Sequence, residues 1–299
     1  MGFNRQSGKV VNLDRKRSEK YGEGSSVAGP RVIAVTGGKG GVGKTGIVAN
    51  LGYALGALNK KVIILDADLG LGNIDLLLGI APRFHIGHFL QGSKSLEEIM
   101  VKVSSSMTII PASSGLEALT SLKPFQQKKI FEDLQHSMSG SDFILLDTAA
   151  GLASNVMQFN LFADDILVVV SPEPASMTDA YALMKVLSLN YGVARFHVLV
   201  NMARHREEAE EAFRQLKLVS DRFLEVELAY LGSVPFDEQV NKCVKRQKLL
   251  CEASPESPAG RAIAGIARKV NQFRGPRREG SFLEGLMNKG SSDDRDPAL

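Results

Sequence analysis

The 299-residue sequence predicts an α/β fold with a doubly wound, mostly parallel β-sheet. Short runs rich in Val, Ile and Leu alternate with stretches of helical periodicity from residue 31 onward, which is typical of strands joined by right-handed crossovers. These runs are apolar at nearly every position, as expected for strands buried on both faces. A glycine-rich loop also follows the first run, at the strand end where parallel sheets bind ligands.

The predicted strands cover, in chain order, 31–36, 61–66, 107–111, 142–147, 165–171, 195–200 and 229–234. The predicted helices between them cover 44–58, 95–103, 113–121, 124–138, 153–161, 174–190, 205–219, 237–247 and 257–273. Residues 30–274 therefore form one predicted domain, and a hydrophobic content of 44% is enough to give it a large core. A basic, flexible arm is predicted at 1–29 and a tail at 275–299.

Composition and charge exclude several classes of protein. The net charge of +3 gives little support to nucleic-acid binding, although the basic arm leaves salt-dependent DNA binding open. Cys243 and Cys251 are the only cysteines and form neither a disulfide framework nor a C-x-x-C metal motif. There is no run of 18 apolar residues and no apolar signal segment, so we expect a cytoplasmic protein.

The loop after the first strand reads GGKGGVGKT at residues 37–45, which is a phosphate-binding P-loop pattern. Glycines allow the backbone to curl and direct several N–H groups at one anion. Lys44 supplies a charge for the β- and γ-phosphates, and the Thr45 hydroxyl is a ligand for Mg²⁺. The following helix directs its positive end at the same phosphates. The sequence therefore predicts nucleoside triphosphate binding by Gly38, Lys39, Gly40, Gly41, Val42, Gly43, Lys44 and Thr45.

Acidic residues stand at the ends of two other predicted strands. Asp66 ends the second strand, Asp68 stands two residues later, and Asp147 ends the fourth strand. A hydrophobic run ending in Asp, about 100 residues after a P-loop, is typical of a carboxylate that reaches the hydration shell of Mg²⁺. We predict Asp66, Asp147 and Thr45 as metal-site residues. Asp68 is the candidate for orienting an attacking water. The alternative role for Asp66 and Asp68 is to cap the turn that follows them.

The last two strands end near the same edge in polar residues. Asn201 offers an amide donor and acceptor, which suits the N6/N7 edge of adenine. Pro235 and Asp237 follow the last strand and are further predicted nucleotide contacts. Asp237 has an equally strong alternative, which is to N-cap the following helix.

The spelling KGGVGKT contains a second lysine, Lys39, and resembles the deviant P-loop of the MinD/ParA family of ATPases within the SIMIBI class. The resemblance covers about residues 31–274. It implies an ATPase whose cofactors are ATP and Mg²⁺, and whose ATP-bound form is a homodimer. It also implies that Lys39 reaches the nucleotide of the partner copy, and that Lys39, Lys44 and Asp68 are the catalytic residues. The family more usually has Gly at the position of Ala149, after Asp147.

Four stretches are similar to the flagellar-number subfamily FlhG, also called FleN: DADLGLGNIDLLLG at 66–79, IIPASSGLEAL at 109–119, SPEPASMTDAYALMKVL at 171–187 and SPAGRAIAGIARKV at 257–270. This resemblance implies control of flagellar number or placement. It implies as partners a flagellar GTPase, a switch-complex protein or a flagellar transcription activator. The D-Q-A-x-x-L-R-type segment that stimulates the GTPase is not found in residues 1–30. Division-site selection or chromosome partitioning, as in MinD and ParA proper, is the alternative.

The tail contains a capping-box spelling, Ser281-x-x-Glu284, that predicts a short helix over about 281–289. Its apolar face comprises Phe282, Leu283, Leu286 and Met287. Basic residues flank the helix, so we predict association with the inner face of the cell membrane through anionic lipids. Packing of the same face against the protein body is the alternative.

Overall fold

A computed structural model describes residues 29–68, 72–112, 138 and 140–274. The predicted helix at 113–121 and, apart from Met138, the one at 124–138 lie outside the described residues. The predicted tail helix and the arm up to residue 28 lie outside them as well.

The strands in this part of the chain form one eight-stranded sheet. In chain order they are β1 (Arg31–Thr36), β2 (Val62–Ala67), β3 (Val101–Lys102), β4 (Met107–Ile110), β5 (Phe143–Thr148), β6 (Asp165–Val170), β7 (Arg195–Ala203) and β8 (Glu227–Pro235). The order across the sheet is β3-β4-β2-β5-β1-β6-β7-β8. Every neighbouring pair is parallel except β3 with β4, which confirms the predicted doubly wound, mostly parallel architecture.

The helices of the described residues cover both faces of the sheet. They are α1 (Lys44–Gly56), α2 (Ile74–Leu78), α3 (Ile86–Leu90), α4 (Leu96–Ile99), α5 (Ser154–Phe162), α6 (Pro174–Tyr191), α7 (Arg206–Phe223), α8 (Glu238–Lys245), α9 (Leu250–Ala253) and α10 (Pro258–Val270). None of them is long and apolar enough to cross a bilayer.

The central strand β1 shows how the two faces are filled. Ile33 and Val35 belong to the core cluster that contains residues of α1 and α10, whereas Val32 and Ala34 belong to the cluster on the opposite face. All six residues of β1 are buried. Alternate side chains of a strand point to opposite faces, so an apolar strand of this kind must have helices on both sides.

One predicted helix is wrong in its second half. The pattern over 95–103 predicts a single helix, but α4 ends at Ile99 and β3 begins at Val101. A Ser95–Glu98 capping box starts the helix, with Glu98 N–H donating to Ser95 Oγ at 3.3 Å. Met100 then adopts an extended backbone, and the chain pairs antiparallel with β4. The antiparallel hairpin of β3 with β4, which pairs Val101 with Ile109, thus overrides the local helical pattern.

The short helices α2, α3 and α9 are absent from the predictions, and β7 and β8 extend beyond their predicted ends. Asn201 and Pro235 therefore lie inside strands.

The edge at the amino ends of the strands holds the end of the described chain. The Phe273 ring, just after α10, stacks on the His197 ring of β7 with centroids 4.2 Å apart. Arg31 donates to Asp165 at 2.5 Å, and His197 lies 3.3 Å from the other oxygen of that carboxylate. The described part of the chain therefore ends at the edge of the sheet opposite the glycine-rich loop.

Candidate nucleotide-binding site

The P-loop connects β1 to α1 and presents the start of that helix to an anion. Gly43 occupies the N-cap position with a φ of 88°, a left-handed conformation that glycine adopts without strain. No side chain caps the first turn of α1. The first N–H groups of the helix and its positive dipole end are therefore available for a phosphate.

The first half of the loop is held by neighbouring elements. A Cβ on Gly38 would collide with the backbone carbonyl of Asp179 in α6, so only glycine fits there. Gly151 N–H donates to the carbonyl of Gly37 at 3.3 Å. The segment that follows β5 is thereby joined directly to the P-loop.

The predicted acids Asp66 and Asp147 are brought together by the sheet. They are register partners on the adjacent strands β2 and β5, and each is only 1% exposed. Burial, followed by the neighbouring Asp147 charge, raises the pKa of Asp66 to about 7, although N–H groups of Asp68 and Ile74 oppose the shift. Two buried carboxylates side by side favour binding of a cation.

Neither carboxylate oxygen of Asp147 has a hydrogen-bond partner among the described residues. Burial raises its pKa to about 6, opposed first by the Thr45 hydroxyl and then by Lys44. The Thr45 hydroxyl lies near enough to lower this pKa but does not meet hydrogen-bond geometry. Unsatisfied buried oxygens of this kind are costly, and a hydrated Mg²⁺ would supply the missing donors and charge. The residues therefore fit the predicted metal.

Lys44 lies among these acids and is 8% exposed. Burial lowers its pKa, and the charges of Asp147 and then Asp68 act in the opposite direction. Asp68 is half-buried, and its N–H donates to Asp66 Oδ1 at 3.1 Å. The structure thus places Lys44, Asp66, Asp68 and Asp147 in one charged cluster beside the P-loop.

The raised pKa values of Asp66 and Asp147 lead to an expected pH dependence of stability. Each folded-state pKa exceeds the ordinary value of 3.8, so the folded state binds more protons from that pH up to about 6 at Asp147 and up to about 7 at Asp66. The free energy of unfolding of the metal-free protein is then expected to fall by about 1.4 kcal/mol per pH unit for each group as the pH rises. Urea unfolding of the wild type and of Asp66→Asn across this range measures it. Equal slopes for the two proteins would contradict the expectation.

A cavity of about 400 Å³ adjoins the P-loop on the side of β7 and β8. Its walls include Gly43 and Thr45 together with Asn201 from β7. Most of the remaining lining is apolar and includes Met202, Val234 and Val240. A flat heteroaromatic base suits a cavity of this size and polarity.

Asn201 has a contact that its predicted role did not include. Its amide Nδ2 donates to the carbonyl of Val42 at 2.8 Å, so it braces the P-loop. The side chain is 7% exposed and lines the cavity. The predicted adenine contact stays a prediction, with one of the two N–H donors of the amide engaged by Val42.

Pro235 and Asp237 do not line this cavity. Asp237 takes the N-cap role left open as the alternative: Oδ1 accepts from Gln239 N–H at 2.9 Å, and Oδ2 accepts from Ala259 N–H at 3.1 Å. Burial raises the pKa of Asp237, but these N–H groups and Ser257 outweigh it and lower the pKa overall. One carboxylate thus fixes the starts of both α8 and α10.

Lys39 projects from the outer part of the P-loop and is 36% exposed at its side chain. Its ammonium lies 2.5 Å from Glu173 Oε2, at the start of α6. Glu173 was absent from the predicted site residues, because only the fold brings positions 134 residues apart together. The sequence signal for Glu173 is its place two residues after the end of the predicted strand at 165–171.

Ala149, where the family more usually has Gly, causes no strain. The positive φ in this segment belongs to Gly151, at 98°. Ala149 is not among the non-glycine residues with positive φ. The left-handed conformation after β5 is therefore adopted by Gly151, two residues after Ala149.

The sheet order, the P-loop at the end of β1 and the acids on β2 and β5 define a P-loop nucleoside triphosphatase. A family model described as "ParA: NUBPL iron-transfer P-loop NTPase" matches residues 29–271. The chain belongs to the ParA/MinD family of P-loop NTPases.

Among similar proteins, antiactivator FleN of Pseudomonas aeruginosa is 41% identical over 259 residues, which covers 87% of this chain and 92% of that protein. Flagellum site-determining protein YlxH of Helicobacter pylori is 31% identical and covers 86% of each chain. The septum site-determining protein MinD of Pyrococcus horikoshii, solved with Mg-ADP, superposes with a TM-score of 0.67 at 27% identity, over 81% of this chain and 96% of that one. These findings confirm the predicted family and fold.

Proposed function

We propose that this protein is an ATP-binding, ATP-hydrolysing dimerisation switch that regulates flagellar number or placement. The observation that carries the proposal is its 41% identity to antiactivator FleN over most of both chains. A septum-site or partitioning role has weaker support, since the MinD of Synechocystis is 30% identical.

The charged cluster beside the P-loop supports the hydrolytic part of the proposal. Lys44 and the N–H groups at the start of α1 hold the phosphates. Thr45, Asp66 and Asp147 would hold Mg²⁺, which neutralises charge on the phosphate oxygens when bound. Asp68 would orient the attacking water, and its charge already acts on Lys44. Hydrolysis is expected to be slow without a partner.

Exposed apolar side chains near the same edge support a homodimer. Leu152 is 48% exposed, Met202 42% and Phe236 60%, and they follow or end β5, β7 and β8. A second copy facing this edge would cover them and bring its nucleotide to Lys39. Lys39 would then exchange the Glu173 carboxylate for a phosphate of the partner copy.

The proposed partners are those that the resemblance to the flagellar subfamily implies: a flagellar GTPase, a switch-complex protein or a transcription activator. We further propose a cytoplasmic protein that joins the inner membrane face when ATP-bound. This step rests on Phe282, Leu283, Leu286 and Met287, which lie outside the described residues. Dimerisation would present two such helices and raise their joint affinity for a membrane roughly 10²–10⁴-fold.

Asp68→Ala is expected to keep ATP bound and to accumulate as a dimer, because the water that attacks the γ-phosphate is no longer held. Phosphate release should fall at least ~100-fold while nucleotide affinity changes little. Light scattering with ATP and Mg²⁺, alongside a phosphate-release assay, measures both properties.

Lys39→Ala is the matched control, since it should stay monomeric with ATP yet still bind nucleotide. Hydrolysis by Asp68→Ala at the wild-type rate would remove the role assigned to Asp68. A wild type that stays monomeric with ATP would remove the switch.

A further inference from the structure

Basic side chains are concentrated on α8 and on the turn that follows it. Residues 238–248 contain one carboxylate, Glu238, and four cations: Lys242, Lys245, Arg246 and Lys248. All four cations are exposed. Among the described residues, Lys245, Arg246 and Lys248 have no ion-pair partner. Four cations against one carboxylate leave an excess of three positive charges on one short segment.

The charged helix α7 shows a different arrangement. Its cations Arg206, Arg214 and Lys217 each pair with a carboxylate three or four residues away on the same helix. Pairs of this kind balance the charge of a solvent-facing helix locally. The cations at the end of α8 lack such partners in the described part of the chain, so their charge remains available to an anionic partner.

An apolar opening lies beside these cations. The wall of the cavity that adjoins the P-loop also includes Leu76 of α2, Val244 of α8 and, just after α8, Lys248. Leu76 is 62% exposed and Val244 45%, so this part of the wall is open to solvent. We call the opening lined by these three residues the α2–α8 groove. Exposed apolar side chains with a charged rim are typical of a surface that binds another protein.

The two sides of the α2–α8 groove are joined by Gln247. Its Nε2 donates to the carbonyl of Leu76 at 3.2 Å. The backbone of Gln247 is left-handed, with a φ of 53°, and its Cβ lies 3.0 Å from the point where a Cβ on Gly79 would be. Gly79 is the C-cap of α2. The turn after α8 is thereby fixed against the end of α2, which gives the groove a defined width.

We propose that the α2–α8 groove binds an acidic amphipathic segment of a partner protein. Its apolar side chains would cover Leu76 and Val244, and its carboxylates would face Lys245 and Lys248. An amphipathic helix carries both features, because it presents apolar anchors on one face and charges beside them. The partner is a protein segment because the surface between the charges is apolar, whereas a nucleic acid backbone would place charge there. This inference goes beyond the proposed function and does not require nucleotide.

The test uses two labelled synthetic peptides of about 14 residues and fluorescence anisotropy without nucleotide. One peptide has Leu at helical spacing and Glu on its other faces, and the second has Lys in place of every Glu. The full-length wild type is expected to bind the acidic peptide at least ~10-fold more tightly than the basic one. The double variant Lys245→Glu/Lys248→Glu should reverse this preference.

The matched control is Lys61→Glu/Lys102→Glu, which makes the same change of charge at two exposed lysines that line a different hollow, near the amino ends of β2 and β4. It should keep the wild-type preference to within about 3-fold, since it alters only the distant field of the protein. Leu76→Ala leaves the charge unchanged and should weaken binding of the acidic peptide about 3–10-fold, through lost apolar contact.

Hydrogen exchange with the acidic peptide bound locates the surface. Added protection is expected in α2 and in residues 238–248. Equal binding of both peptides by the wild type, no binding of the acidic peptide, or protection confined to other segments would each overturn the inference. Self-association of the nucleotide-free protein that Leu76→Ala abolishes would assign the groove to a second copy, and that result also overturns it. Because nucleotide is absent throughout, a failure of the proposed ATP switch would leave these results unaffected.

Discussion

Lys44→Ala is expected to reduce the affinity for ATP and ADP by at least ~100-fold. Lys44 is 8% exposed and lies among carboxylates at the start of α1, where its charge would pair with the β- and γ-phosphates. Without it, phosphate oxygens would meet the negative charges of Asp147 and Asp68 with no nearby cation. Calorimetric titration with each nucleotide measures the loss.

Lys61→Ala is the matched control, because it removes the same charge from an exposed position just before β2, at the opposite edge of the sheet. It should bind ATP as the wild type does. In a flagellated bacterium that lacks its own FleN-type protein, wild type and Lys61→Ala should restore flagellar number. Lys44→Ala should not. Tight ATP binding by Lys44→Ala would contradict the assignment of the P-loop.

Asp147→Asn is expected to have opposite effects on stability and on activity. A pKa raised from 3.8 to about 6 means that the charged form is disfavoured in the folded state. At pH 8 without metal, neutralising this buried carboxylate should raise the free energy of unfolding by about 1–3 kcal/mol. The same change removes a charge that would face Mg²⁺, so the affinity for Mg²⁺ should fall ~10–100-fold.

Urea unfolding at pH 8 with EDTA measures the first effect, and magnesium titration of phosphate release measures the second. Asp221→Asn, at an exposed position paired with Lys217, provides the control and should change stability by no more than about 0.5 kcal/mol. Destabilisation by Asp147→Asn would show that the carboxylate has partners in the folded protein. The interpretation of its buried oxygens as a metal site would then be wrong.

The parts of the fold that local pattern determines could be predicted from the sequence. The strands are continuous apolar runs, and both ends of most fall within one or two residues of the structure. The P-loop, Asp66 and Asp147 were recognisable because each follows or ends such a run, and parallel pairing then makes the two acids neighbours. Hydrophobic periodicity and the ends of apolar runs are properties of short segments, so they can be recognised without knowing the contacts that form on folding.

Features that depend on contacts between distant segments could not be predicted. Glu173 reaches Lys39 only in the folded sheet, because the two residues are 134 positions apart. The turn of the chain into β3 is a local hairpin with β4, but the residues before it also fit helical periodicity, so the pattern alone did not separate the two. The sequence made Asp237 equally suited to contact a nucleotide and to cap a helix. In the structure Asp237 also accepts a hydrogen bond from Ala259 N–H, in the first turn of α10, which is distant along the chain. The left-handed backbone of Met202 accompanies a register shift between β7 and β8. Nothing in the local sequence predicts that shift.

The double attachment of Asp237 has a mechanical consequence. Its carboxylate accepts hydrogen bonds from the segment after β8 and from the first turn of α10, and so connects the two. The helix α10 has 13 residues and is about 20 Å long. At the far end of this helix, Phe273 rests on His197 immediately before residues 275–299. A displacement of the segment after β8 would therefore be transmitted along α10 to the contact between Phe273 and His197, at the opposite edge of the sheet.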